Sequence, residues 1–201
     1  MRVEIKGDFG ASMLKGIQRD LRAKVLQPAI NKVAEKARAE INRAIPQEYA
    51  VKASEVRSAI NLRKASSGKL EAVLDIFGSA KKRGRSLNLI HFLAAVQAAG
   101  KAHAVRGKRL KKSDMAALDR QLGFLIKKAG GIKKLDGAFV GNKGRTVFRR
   151  TGKDRLPIEP LQVIGISQMF SSRKISQRVL DKINAEFPVE IERALARLLA
   201  K

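Results

Sequence analysis

An α+β fold is what this sequence predicts: a small antiparallel sheet packed by a long N-terminal helix and a C-terminal helix, with a basic, partly helical stretch in the middle. Three observations predict it. Apolar residues recur at helical spacing near both ends of the chain, they alternate with period two between, and Gly- or Ser-rich reversals separate the alternating stretches. With 201 residues and 44% hydrophobic content the chain can fill one core, so a single domain over residues 1–201 is expected.

Taken in order, Arg2 to Lys6 alternates around Val3 and Ile5 and reads as a short strand. Helical spacing follows: Leu14, Ile17, Leu21, Leu26, Ile30, Val33, Ala37, Ile41 and Ala44 form one stripe, which predicts an amphipathic helix from about residue 11 to 45. Pro28 lacks the N–H donor, so the stripe is either kinked there or is two helices with Pro28 in the first turn of the second. Pro46 is expected to end the run. Lys52 to Ala59 suits a short helix. Ile60 and Leu62 then face Leu70, Ala72, Leu74 and Ile76 across a Ser66-Ser67-Gly68 turn, which predicts a hairpin. A second hairpin is expected from Ala138–Val140 to Thr146–Arg149, because Gly141-Asn142-Lys143-Gly144 tolerates positive φ at the reversal. Leu161 to Ile166 reads as a further strand. From Ile175 helical spacing returns, and Pro188 fits the first turn of a last helix through Ile191, Leu195, Leu198 and Leu199.

Charge dominates the composition. There are 43 Lys and Arg against 18 Asp and Glu, a formal net charge of +25, so the compact chain repels itself and calls for an anionic partner. No apolar run approaches the ~20 residues that span a bilayer, and no hydrophobic signal core opens the sequence, so the expected place is the cytosol. The absence of cysteine removes disulfides and thiolate metal sites. Between Asp75 and Asp114 there is no acidic residue, while Lys81, Lys82, Arg83, Arg85, Lys101, Arg106, Lys108, Arg109, Lys111 and Lys112 all fall there. Ser113 can cap a short helix through Met115 and Leu118.

The search for catalytic chemistry returns little. His91 and His103 are the only histidines, too few for a structural zinc site or a His-based triad, and His91 in Leu-Ile-His-Phe reads as a partly buried structural imidazole. Gly141-Asn142-Lys143-Gly144 lacks the spacing of a phosphate-binding loop. Asp136, Asp154 and Glu159 have no spacing diagnostic of a metal-dependent nuclease, so no enzyme, cofactor or metal is expected. Nucleic-acid binding is better supported: Lys81, Lys82, Arg83, Arg85, Lys108, Arg109, Lys111, Lys112, Arg149 and Arg150 can meet phosphates or, equally, an acidic protein neighbour. One tyrosine, no tryptophan and 4% aromatic content leave no stacking platform, so any DNA contact is expected to ignore sequence.

The order Gly137-Ala138-Phe139-Val140, Arg145-Thr146-Val147-Phe148-Arg149-Arg150, Lys153-Asp154-Arg155-Leu156-Pro157-Ile158-Glu159-Pro160-Leu161 and Ser167-Gln168-Met169-Phe170 resembles the minor tail protein Z family of lambda-like siphophages and their prophages. The long N-terminal helix ending in Ile41-Asn42-Arg43-Ala44-Ile45, the strand at Ala59–Ala65, the Leu89–Phe92 segment and the C-terminal helix extend the likeness over most of the chain. The resemblance implies a structural tail-completion or neck protein at the head-proximal end of a long phage tail, in the virion after assembly in the host cytoplasm. It implies other tail or neck proteins, a ring of copies and the double-stranded genome end as partners. A sequence-independent DNA-binding accessory protein is the alternative. Against the family pattern, Ala94 to about Gln121 reads as a basic insertion. Over Gly123 to Lys128 helical spacing would prolong a preceding helix, whereas the family pattern implies a strand leading to Gly130-Gly131, and the strand is preferred. Leu156, Pro157, Ile158, Met169 and Phe170 are expected to anchor a strand at both ends and lock the sheet on the C-terminal helix.

Overall fold

The computed structural model describes residues 2–6, 21–79, 86–98, 101–103, 122–135, 137–152 and 154–200. Its centre is helix α1, Gln27–Glu48, whose Ile30, Val33, Ala34, Ala37, Ile41, Ala44 and Ile45 are buried at the three- and four-residue spacing the sequence predicts. A π-helical turn, Arg22–Leu26, runs directly into it, and Pro28 occupies its first turn. Proline at 28 cannot donate to the carbonyl of residue 24, and a widened turn at that point is the usual local response. The part of the expected helix before Leu21 lies outside the described residues.

Pro46 does not end the helix, contrary to expectation. It sits in the last turn, and the chain continues helical to Glu48 before the Tyr49 N–H closes on the Ile45 carbonyl at 2.9 Å. Pro188 likewise lies inside helix α4, Arg173–Leu199, rather than opening a separate helix. Both prolines are carried because α1 and α4 pack antiparallel along their length, so that tertiary contact holds each turn on either side of the missing hydrogen bond. The ion pairs fix this direction: Lys174 meets Glu48, Arg178 meets Glu40, and Lys36 meets Glu186 and Glu190.

Among the described residues the strands form four small antiparallel sheets, where a single sheet is expected from sequence. Strand β1, Arg2–Lys6, and strand β2, Ile60–Arg63, flank strand β3, Glu71–Ile76. The predicted hairpin is present, with Ile60 opposite Ile76 and Leu62 opposite Leu74, and its turn is closed by reciprocal Ser66–Lys69 backbone bonds of 2.9 and 3.1 Å. Helix α2, Ala53–Ser58, precedes it as expected. Asn31 of α1 pins the hairpin by accepting from Ala65 N–H at 2.7 Å and donating to its carbonyl at 3.1 Å.

Strand β4, Ser86–Asn88, leads through a 3₁₀ turn, Leu89–Phe92, into β5, Leu93–Ala98, and β6, Lys101–His103. Strands β7, Leu122–Phe124, and β8, Lys133–Leu135, complete that sheet in the order β6-β5-β7-β8. Of the strand preferred over Gly123 to Lys128, only Gly123 and Phe124 lie in β7; the chain then leaves the sheet and Lys128–Gly130 forms a 3₁₀ turn. The described parts of the segment read as an insertion, residues 94–98 and 101–103, are strands rather than loop or helix; residues 104–121, with the helix expected after Ser113, lie outside the described residues. Strands β9, Ala138–Gly141, β10, Thr146–Arg150, and β11, Ile158–Pro160, form the third sheet. Strand β12, Gln162–Ile164, pairs with β4. Ile166 does not continue that strand: it opens a five-residue helix, α3, Ile166–Phe170.

All four layers feed one core. Ala72, Leu74 and Ile76 from β3, Leu122 and Phe124 from β7, Val147 from β10, Ile166, Met169 and Phe170 from α3, and Ile175 and Val179 from α4 belong to one buried cluster with the apolar face of α1. Asn88 ties the small sheets together: its side-chain oxygen accepts from the N–H groups of Val147 at 2.9 Å and Ile90 at 3.1 Å.

Candidate anion-binding face

Positive charge is distributed unequally over this fold. Residues 76–160 carry 21 Lys and Arg against five Asp and Glu, and supply most of the net charge. On the helical side the acidic residues are held in ion pairs. Glu190, 3% exposed, is held by Lys36 and by Arg193 at 2.8 Å, and the buried Glu40 accepts from Arg178 at 2.6 Å. Lys182 and Lys36 hold the Glu186 carboxyl down to about 2, and Lys36 keeps that of Glu190 below its ordinary range despite burial. Bonding to Glu186 and Glu190 raises the Lys36 ammonium in turn. Farther along, Lys64 meets Glu35 at 2.6 Å and Arg63 meets Asp75 at 3.0 Å.

The β-rich side is different. Lys127, Lys128, Lys133, Lys134, Lys143, Arg145, Arg149, Arg150 and Arg155 are all exposed, and among the described residues none of them is ion-paired. Their placement follows from local sequence. Leu122-Gly123-Phe124 buries all three residues, so its neighbour β8 becomes the edge strand and turns Lys133 and Lys134 to solvent, where lysines also discourage edge-to-edge pairing. Lys127 lies over the Tyr49 ring at 6.0 Å.

Alternation sorts the β9–β10–β11 sheet into two faces. Val147 is fully buried, and Ala138 and Val140 pack on the core beside it. Phe139, Phe148 and Arg150 therefore share the outer face. The two rings stack at 6.0 Å between centroids, and the Arg150 guanidinium sits 5.3 Å from the Phe139 centroid. A side chain at Gly141 would come within 3.0 Å of the Phe148 ring, so glycine there leaves the stack its room. The hairpin turn beyond holds Asn142, Lys143 and Gly144 at φ of 50°, 55° and 81°, as the sequence predicts for this loop.

Of the residues singled out from sequence, Arg149 and Arg150 are exposed on β10. Lys81, Lys82, Arg83, Arg85, Lys108, Arg109, Lys111 and Lys112 lie outside the described residues. Met169 and Phe170 are buried, at 0% and 3% exposure, but on helix α3 and not at the end of a strand. Leu156 is 66% exposed and Ile158 36%, so neither is an internal anchor, and Pro157 follows a cis peptide bond in an exposed loop. Anchoring fails there because the 151–157 loop leaves the core after β10. The His91 imidazole is 34% exposed, partly covered as expected, with its Nδ1 2.9 Å from Glu55 Oε1. The Phe139–Phe148–Arg150 cluster is not among the residues the sequence singles out. Its signal was present, since Phe139 and Phe148 flank the predicted turn at positions that pair across the hairpin.

A family model described as prophage minor tail protein Z (GPZ) matches residues 5–201, nearly the whole chain. Comparison with curated proteins and with solved structures returns no match.

Proposed function

The chain belongs to the prophage minor tail protein Z family, and from that premise we propose that it completes the tail at its head-proximal end, serving in head–tail joining and in passage of the genome. It is a phage minor tail protein and a component of the virion tail. Its role is structural rather than catalytic, exercised after assembly in the host cytoplasm, with copies arranged as a ring among other tail or neck proteins.

The observation that carries this reading is the family match over residues 5–201. The charge is consistent with it, because a channel that passes DNA gains from a positive wall where an acidic one would repel phosphates. The unpaired cations of the β-rich side also suit a free, sequence-independent DNA-binding accessory protein, and location separates the two. Labelling the protein in purified particles and imaging them should place it at the junction of head and tail; its absence from particles would overturn the structural role. Deletion of the gene should leave heads and tails visibly formed while infectious yield collapses, whereas loss of tail polymerisation would contradict a completion role.

A further inference from the structure

We propose that the outer face of the β9–β10–β11 sheet is a docking site for a protein segment whose apolar side chains are flanked by carboxylates, supplied by another component of the tail; this rests on the reading of the chain as a tail protein.

The register of the sheet assembles the face. Phe148 stands opposite Phe139 on one side and Pro160 on the other, and Arg150 stands opposite Ile158, so these five residues share one surface. Glu159, the carboxylate on β11, pairs in register with Arg149 and belongs to the opposite surface. The outer face thus has an apolar and aromatic centre, an arginine held over a ring and, among the described strand residues, no carboxylate. Exposed cations rim it at Lys143 and Arg145 in the hairpin turn and at Arg155 in the loop before β11.

This composition selects a protein over nucleic acid. Phosphate recognition uses charged and hydrogen-bonding groups and gains nothing from Phe148, Pro160 or the 36%-exposed Ile158. Base stacking needs a free ring, yet Phe139 is already engaged by Phe148 and by Arg150. Aromatic and arginine side chains at the centre with charge at the rim are instead the anatomy of a protein interface, and the rim dictates an acidic counterpart. The cation–π contact pre-orders Arg150, which lowers the entropy lost on docking. Strand addition at the sheet edge is disfavoured, because Pro160 removes a donor from β11.

The test is Ile158→p-benzoylphenylalanine in the full-length protein, irradiated within assembled particles. The expected product is a covalent adduct with another virion protein, mapped by mass spectrometry to a segment where Asp or Glu flanks apolar residues. Arg150→Glu on the same background should reduce that adduct about tenfold or more, as for an interfacial arginine anchor, while the melting temperature of the isolated protein stays within the range of the parent. A nuclease-sensitive adduct would make the face a DNA site and overturn the proposal, as would no adduct or one in a lysine-rich segment. Failure of the tail reading shows itself separately, as absence of the protein from particles.

Discussion

Replacing Phe170 by alanine tests whether the signature's last residue serves the fold or a neighbour. Its side chain is 3% exposed, on the short helix α3 and packed in the core around α1. Removing all but the β-carbon of a buried phenylalanine forfeits roughly 150 Å² of apolar burial, which at ~25 cal/mol per Å² is about 4 kcal/mol. Direct large-to-small substitutions in cores give the same range, ~3–5 kcal/mol. For a chain of this size each kcal/mol lowers the melting temperature by ~2–4 °C, so Phe170→Ala should melt about 8–16 °C below the parent. Thermal unfolding of the isolated protein followed by circular dichroism reads this directly. A variant that melts within ~2 °C of the parent while particles fail to complete would refute the core assignment and place Phe170 in a contact between proteins.

Acid should weaken the α1–α4 seam. Glu186 is held down to about 2 and Glu190 is lowered from its ordinary 4.5, so their contribution is complete above 4.5 and lost as pH falls through the depressed values. Unfolding midpoints should decline between about pH 4.5 and 2, and Lys36→Met should flatten that decline. The raised Lys36 gives the opposite limb, a contribution present below 10.5 and lost as pH rises past it. Lys143, at φ 55°, occupies a conformation that costs non-glycine residues ~1–2 kcal/mol, so Lys143→Gly should stabilise by about 1 kcal/mol in denaturant titration and Lys143→Val should destabilise. Affinity for duplex DNA should fall steeply with salt and ignore sequence, each lost phosphate contact reducing the log–log slope by about 0.9. Charge reversal at Lys81–Arg85 and Lys108–Lys112 should lower binding more than the same number of changes on α1; equal effects would leave only a diffuse field.

The elements with strong periodicity were legible. The α1 stripe and both hairpins follow from spacing and from turn residues whose chemistry is local. The prolines misled, because propensity describes an isolated helix, whereas Pro46 and Pro188 sit in helices held by each other. Helix α3 has a local sign in the sequence: Gln168 stands three residues after Gly165 and accepts its backbone N–H at 2.9 Å, half of a capping box. Division into four sheets was not legible, since the pairing of Ser86–Asn88 with Gln162–Ile164 joins two three-residue strands across some seventy positions of chain and leaves no local pattern. For the candidate face, the charges could be counted from sequence, but not which of them would find partners: that Lys36 is neutralised and Arg149 is not depends on where α4 lies.

Among the described residues, exposed cations without an ion-pair partner gather on the β8 to β11 side, so the field of the protein is directional as well as positive. In the field of an anionic assembly those cations favour an approach with the β9–β10–β11 side leading. Encounters that would be wasted on wrong orientations are thereby reduced, which raises the rate of capture without adding to the final affinity. Because that alignment acts through solvent, it should fade over the salt range in which the screening length shrinks to molecular dimensions, while the helix pair, held by buried apolar contacts, stays intact. Incorporation would then be salt-sensitive in its speed and salt-tolerant in its result, a protein that is slow to join at high ionic strength yet stays once it has joined.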